Sequence, residues 1–261
     1  MFHEKRVNGV LFLYSDLLPC PHGFSTRVGG VSNLPHLKSM NLGENRGDPP
    51  ENVAENTRLF CLAAGLPQST VSARQIHSDR VLYREEGFKK GEERPECDGF
   101  YTDRQGVSLF VKIADCIPIL LYAPDIGAVA ALHAGWRGTA QDIAGKGVKK
   151  LVSLGADPQK MLAAIGSGIG QCCYQVDDPF IDAFLGALGQ DFACFLKKNH
   201  GDGRYYADLK GANEALLLRA GLKEEHIDLC PRCTMCESDL FFSHRATGGI
   251  RGTMGAAIAL P

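Results

Sequence analysis

Residues 107–139 read VSLFVKIADCIPILLYAPDIGAVAALHAGWRGT, and the reading of this stretch decides the architecture. It holds three apolar runs rich in branched side chains, 107–113, 116–122 and 128–133, each of strand length. The last two are separated by APDIG, where Pro124, Asp125 and Gly127 supply turn chemistry. An antiparallel hairpin is predicted. With a four-residue loop at 123–126, Tyr122 faces Gly127 and the numbers of paired residues sum to 249. Cys116 then stands opposite His133, and directly paired residues carry Cβ atoms about 4.5–5.5 Å apart. Register is the sensitive quantity, because a slip of one residue sends the two side chains to opposite faces. Pro118 cannot donate to the ladder, so an edge or an interruption is expected beside it.

Further apolar runs at 9–14, 80–84, 161–165 and 226–230 read as strands. Helices are predicted in four places. The segment 48–65 has Asp48 as cap and Gly65 as stop, with Val53, Phe60, Cys61 and Ala64 on one face. The segment 138–155 places Ala140, Ile143, Ala144, Val148, Leu151 and Val152 at helical spacing, and Gly155 closes it. A third helix begins at Asp178 before Pro179, and a fourth runs from a cap at Asp208 to Gly221. Helices and strands alternate only in parts. The expected fold is therefore α+β, with mixed sheets packed together and helices outside, not a purely parallel Rossmann sheet. The whole chain, 1–261, is expected to form one catalytic domain, since no linker, repeat or low-complexity tract divides it.

Composition narrows the function. Lys and Arg number 28 against 30 Asp and Glu, and no basic tract occurs, which argues against nucleic acid as a partner. No apolar run is long enough to span a membrane, and the N-terminal residues lack a signal-peptide pattern, so a cytoplasmic address is expected. In that reducing compartment ten cysteines point to metal binding, catalysis or burial before disulfides.

A facing Cys116–His133 pair has two chemical uses. It can be a nucleophile and its base, or two ligands of a metal such as zinc. Simple burial of both is the alternative. HAGWRG at 133–138 then leads into a helix start, where backbone N–H groups and Arg137 would favour an anion. A third ligand is best sought at His77, which is flanked by Gln75, Ser78 and Asp79; His22 and His244 compete with it. Two histidines and one cysteine would leave a fourth position open, as in catalytic zinc sites.

The chain resembles the YfiH family, long labelled laccase-domain or polyphenol oxidase proteins. The resemblance rests on FSTRVGGVS at 24–32, SMNLGEN at 39–45, QIHSDRV at 75–81, ECDGFYTD at 96–103, ADCIPILL at 114–121 and HAGWRGT at 133–139. It continues through IGSGIGQCCYQV at 165–176, YYADLKGANEALLLRAG at 205–221, and CT then FFSHR at 233–245. It implies β-sheets packed together with helices outside. It also implies a metal, taken as zinc, on His77, Cys116 and His133, with purine nucleoside phosphorylase and adenosine deaminase activity on nucleoside and phosphate. Read from the residues alone, either the metal or Arg137 would hold and orient phosphate, and Arg27 and Arg245 are candidate anion ligands or else solvated surface arginines. Three departures from the family pattern stand out: Ser167 where proline is usual, Cys172 and Cys173 at a variable position, and SHRAT where SYRR is usual.

Two other readings accompany this one. The older family label implies a copper phenol oxidase, although eight histidines are few for a multicopper enzyme. A Cys–His hydrolase would use Cys116 as nucleophile. Among the remaining motifs, GSGIG at 166–170 lacks the context of a dinucleotide fingerprint and reads as a tight backbone turn. CPRCTMC at 230–236 spaces its cysteines like metal ligands, but no fourth ligand is evident at cluster spacing. Asp115 is expected, by strand alternation, to point away from Cys116. The preferred nucleoside, the oligomeric state and the roles of Cys172, Cys173, Cys230 and Cys236 are not set by the sequence.

Overall fold

The computed structural model describes residues 1–89, 92–199 and 201–261. The expected α+β fold is present as two mixed six-stranded sheets and a small three-stranded one. The first sheet runs, in spatial order, through 2–7, 10–15, 22–25, 254–258, 108–113 and 70–72. The second runs through 227–229, 162–165, 117–123, 128–134, 99–102 and 81–83. Within each sheet the pairs are antiparallel except near the edges, where 70–72 joins 108–113, 227–229 joins 162–165 and 81–83 joins 99–102 in parallel.

The central hairpin is Ile117–Ala123 paired with Ala128–Ala134. Its apolar residues do not alternate with polar ones because both faces are buried. Ile117, Ile119, Leu121, Ala130 and Leu132 meet the helix Ile143–Ser153 on one side. Leu120, Val129 and Ala131 meet Leu109, Val111, Met254 and Ala256 of the first sheet on the other. Leu151 sits in the helix-side core with no exposed surface. Leu151→Ala is expected to cost about 2–5 kcal/mol, as cavity-forming core truncations do. In urea unfolding the midpoint should fall at constant slope.

The hairpin register differs from the expected one. Ala123 pairs with Ala128 and Pro118 with His133, so paired numbers sum to 251. The loop is therefore 124–127, because Gly127 adopts φ 64 and belongs to the turn. A shift of two residues keeps every side chain on its predicted face. Pro118 lies in the strand that accepts at its carbonyl from Gly166, so no sheet edge occurs there.

Several helix limits also move. The first helix is Pro50–Ala64, and Asp48 does not cap it; its carboxylate instead takes hydrogen bonds from Ser32, Asn41 and Asn52. The segment predicted at 138–155 breaks into Trp136–Ala140 and Ile143–Ser153, because Asp142 turns left-handed and caps the second piece through Gly145. Val152 is 41% exposed and lies off the buried face. The third helix, Asp178–Leu188, begins where expected and is capped by Asp177, and Asp208 caps Leu209–Arg219 as expected. Among the described residues, no helix is long and apolar enough to cross a membrane.

Candidate metal centre and cavity

Cys116 does not lie in a strand. Residues 114–116 form a bend between Ser108–Ile113 and Ile117–Ala123, with Asp115 at φ 86. That bend delivers the thiol to the end of the interface between the two sheets. His133 extends the face of Val129 and Ala131 to the same end. His77 arrives from the loop before Val81–Tyr83, itself at φ 60. One ligand atom from each of the three lies within 4.8 Å of the others. Cys116 Sγ is 3.9 Å from His77 Nε2, and the two imidazole rings lie 5.0 Å apart at 77°. Gly135 makes this approach possible: a Cβ there would stand 2.7 Å from the His77 ring and 3.4 Å from Cys116 Sγ.

Asp98 holds the group in place, and sequence reasoning assigned it no role. Its carboxylate is fully buried and accepts the His133 Nδ1 proton at 2.8 Å. It also accepts from the backbone N–H groups of Ile76, His77 and Ser78 and from the Ser78 hydroxyl. One carboxylate thus fixes the tautomer of His133, leaving Nε2 toward Cys116, and shapes the loop carrying His77. Burial opposes charge on Asp98, but the hydrogen bonds from His133 and Ser78 outweigh it and bring its pKa to about 2. Burial likewise opposes charge on Cys116 and His133. Their mutual attraction wins, lowering the thiol and raising the imidazole. The thiolate favoured here is the form that binds metal or attacks an electrophile. Two histidines, a thiolate and a carboxylate behind one histidine fit a metal such as zinc with a free coordination position.

The group opens into a cavity of about 870 Å³. Its lining includes Trp136, Tyr174 and Leu209 together with the cations Arg46, Arg94, Lys112 and Arg251. Glu44 pairs with both Arg94 and Lys112. Among the described residues neither Arg46 nor Arg251 has an ion-pair partner. Arg251 donates through one nitrogen to Gly252 O and Thr253 Oγ1, and its buried Nε has no partner among the described residues. Burial, then the neighbouring Arg46, lowers its pKa to about 10. Two cations facing one cavity are poised for an anion.

The other candidate residues are distributed as follows. Arg137 lines the cavity, exposed and stacked over Trp136 at 4.4 Å. Its helix, Trp136–Ala140, is a single turn, so the anion site expected from helix N–H groups gives way to side-chain cations. Arg245 also lines the cavity, 5.1 Å over Tyr174, and donates to Gln175 O. Arg27 is not brought there: its guanidinium donates to Lys38 O and Ser238 O and covers Phe242. His22 is a buried structural residue, donating to Cys20 O and accepting from Ser15 N. His244 lines the cavity but stands outside the three-residue group.

Asp115 does not follow strand alternation, because its left-handed backbone removes it from the strand. It braces the loops behind Cys116 by accepting from Thr234 Oγ1, Ser243 Oγ and Arg245 N. GSGIG is close packing rather than a tight turn. Gly166 abuts Phe24 and Gly168 abuts Ile117, with neither at positive φ. Only two cysteines of CPRCTMC take part in a group of four: Cys172 and Cys173, from another loop, meet Cys233 and Cys236, and Cys230 is excluded.

Two mixed sheets face to face, with a His–Cys–His group at the end of their interface, define a laccase-domain class of protein. Residues 21–261 match the family described as multi-copper polyphenol oxidoreductase laccase. The chain belongs to this family, in its YfiH/YlmD branch. It is 38% identical to purine nucleoside phosphorylase YlmD of Geobacillus stearothermophilus, over 90% of this chain and 88% of that one. It is 37% identical to a purine nucleoside phosphorylase of Deinococcus radiodurans, over 97% and 94%. A protein named adenosine deaminase RL5, from an unknown prokaryotic organism, is 33% identical over 86% and 88%. The crystal structure of a Bacillus licheniformis protein titled hypothetical protein YfiH superposes with a TM-score of 0.90 at 32% identity, covering 99% of each chain.

Proposed function

We propose that the chain is a cytoplasmic zinc-dependent purine nucleoside phosphorylase that also deaminates adenosine, the whole chain serving as one catalytic unit. The observation that carries this reading is the His77–Cys116–His133 group in a cavity lined by both aromatic side chains and arginines. The purine and ribose lie toward Trp136, Tyr174 and Leu209, and the phosphate toward Arg46 and Arg251, with Arg137 and Arg245 at the rim. A cavity of about 870 Å³ is within the range that small-molecule substrates occupy.

In phosphorolysis the bond between C1′ and the purine nitrogen breaks as a phosphate oxygen bonds to C1′. The purine leaves with the electron pair and takes up a proton. Arginines hold the phosphate mono- or dianion beside C1′ and cancel its charge, which converts an encounter into a positioned attack. A bound metal supplies Lewis acidity at the His–Cys–His group. Asp98 keeps the His133 ring fixed throughout, and the aromatic wall excludes water from the ribose.

Phosphate-dependent release of hypoxanthine from inosine, followed by chromatography, is expected for the purified protein. It should disappear in Cys116→Ala, which removes the thiolate. Absence of release from wild-type protein carrying stoichiometric metal would overturn the phosphorylase reading.

One observation favours a second reading: Cys116, His133 and Asp98 are also ordered as nucleophile, base and orienting carboxylate. A Cys–His hydrolase would keep full activity under chelation and lose it on alkylation of Cys116, whereas the metal enzyme loses activity under chelation. The copper oxidase reading has less support. The second ligand group found among the described residues consists of cysteines alone, with no histidine-rich set.

A further inference from the structure

Away from the His–Cys–His group, four cysteines converge from two loops. Cys172 and Cys173 follow the strand Leu162–Ile165, and Cys233 and Cys236 follow Ile227–Leu229. Their four sulfurs all lie within 4.8 Å of one another. Cys236 Sγ is 3.5 Å from Cys172 Sγ and 3.3 Å from Cys173 Sγ. These separations are far from a disulfide, whose bond is about 2.05 Å. They are close to the edge of a zinc tetrathiolate, about 3.8 Å for metal–sulfur bonds of about 2.3 Å.

Burial does not account for the convergence, because Cys172 and Cys236 are exposed. The backbone around them has the character of a thiolate cradle. Gly170 N donates to Cys233 Sγ at 3.1 Å. A side chain at Gly170 would put its Cβ 3.1 Å from Cys172 Sγ and 3.2 Å from Cys233 Cβ, tighter than ordinary contact, so the loop runs close against the sulfurs.

We propose that Cys172, Cys173, Cys233 and Cys236 form a second, closed metal site for one tetrahedral thiophilic divalent ion of the zinc type. Binding replaces four S–H bonds with four metal–sulfur bonds and releases the protons to solvent, with no change of oxidation state. The site is structural, since all four positions are filled by protein. Its effect reaches the cavity through adjacent residues. Tyr174, directly after Cys173, lines the cavity under Arg245. Thr234, directly after Cys233, donates to Asp115 beside Cys116. The ion pins both loops to one point and so fixes that wall.

The test uses the full-length Cys116→Ala protein, in which the thiolate of the other group is gone. Prepared anaerobically with cobalt(II), it should bind one equivalent with intense sulfur-to-cobalt charge-transfer absorption, which can then arise only from the four-cysteine group. Wild-type protein as purified should carry two metal equivalents, and five thiols, these four and Cys116, should become reactive to a disulfide reagent only after chelation. Cys172→Ser/Cys173→Ser should lose one equivalent and the cobalt spectrum. The wild-type thiol count gives the answer even where that variant fails to fold. Four freely reactive thiols without chelation would overturn the proposal. So would a protein lighter by two hydrogens that binds no metal there, because the cysteines would then pair as a disulfide. Neither result bears on phosphorolysis at the first site.

Discussion

Asp98→Asn is expected to weaken metal binding at the His77–Cys116–His133 group by about 10–100-fold, the usual effect of removing a carboxylate behind a ligating histidine. The size of the change is nearly conserved, but the chemistry is not. Asp98 accepts from His133 Nδ1, from three successive backbone N–H groups and from the Ser78 hydroxyl. An asparagine offers one acceptor oxygen and turns an NH2 group toward donors that have no other partner. Each buried donor left unpaired costs about 1–3 kcal/mol. His133 loses the partner that fixes its tautomer, and His77 loses the bond that holds its left-handed backbone. Metal affinity is measured by competition with a chromophoric chelator, and stability by urea unfolding on the same protein. A folded variant with wild-type affinity would show that the carboxylate serves only the loop.

The central hairpin was legible because its apolar runs, turn residues and lengths all agree. Its exact register was not, because the choice between loops 123–126 and 124–127 rests on the backbone conformation of Gly127 alone. The fold class survived this error, since a two-residue shift preserves the faces. Strand 254–258 gives little signal in the sequence because MGAAI holds a single β-branched residue, Ile258, among small ones; its burial against Ser108–Ile113 decides its conformation. At the site, resemblance selected His77, whereas polar neighbours only favoured it. Asp98 lies in ECDGFYTD beside Glu96 and Asp103, and nothing in the stretch sets one of these three acids apart. Arg251 gave no local signal at all, because its importance depends on a cavity assembled from distant segments. The four-cysteine group was half visible in CPRCTMC. Its partners are some 60 positions away and adjacent to each other, a spacing no short motif contains.

Arg251→Met should lower kcat/KM for phosphate by about 10–100-fold while leaving adenosine deamination at its wild-type rate. The estimate follows from one hydrogen bond to a charged group, about 1.5–3 kcal/mol, at about tenfold for each 1.4 kcal/mol. Arg251 is singled out among the cavity cations for three reasons. Glu44 already pairs with Arg94 and Lys112. Arg137 is committed to stacking on Trp136 at the exposed rim. Arg251 alone combines partial burial with an unpartnered Nε and a charge repelled by Arg46. A phosphate between these two arginines removes that repulsion, so the ligand gains more there than at an isolated surface arginine. Methionine keeps most of the volume and removes only the charge and donors. Deamination consumes water and no phosphate, so it reports whether the rest of the cavity is intact. Steady-state kinetics with phosphate varied at saturating inosine, and with adenosine alone, separate the two. Equal losses in both reactions would mean that Arg251 shapes the cavity instead of holding phosphate, and the anion would then have to lie at Arg137 and Arg245.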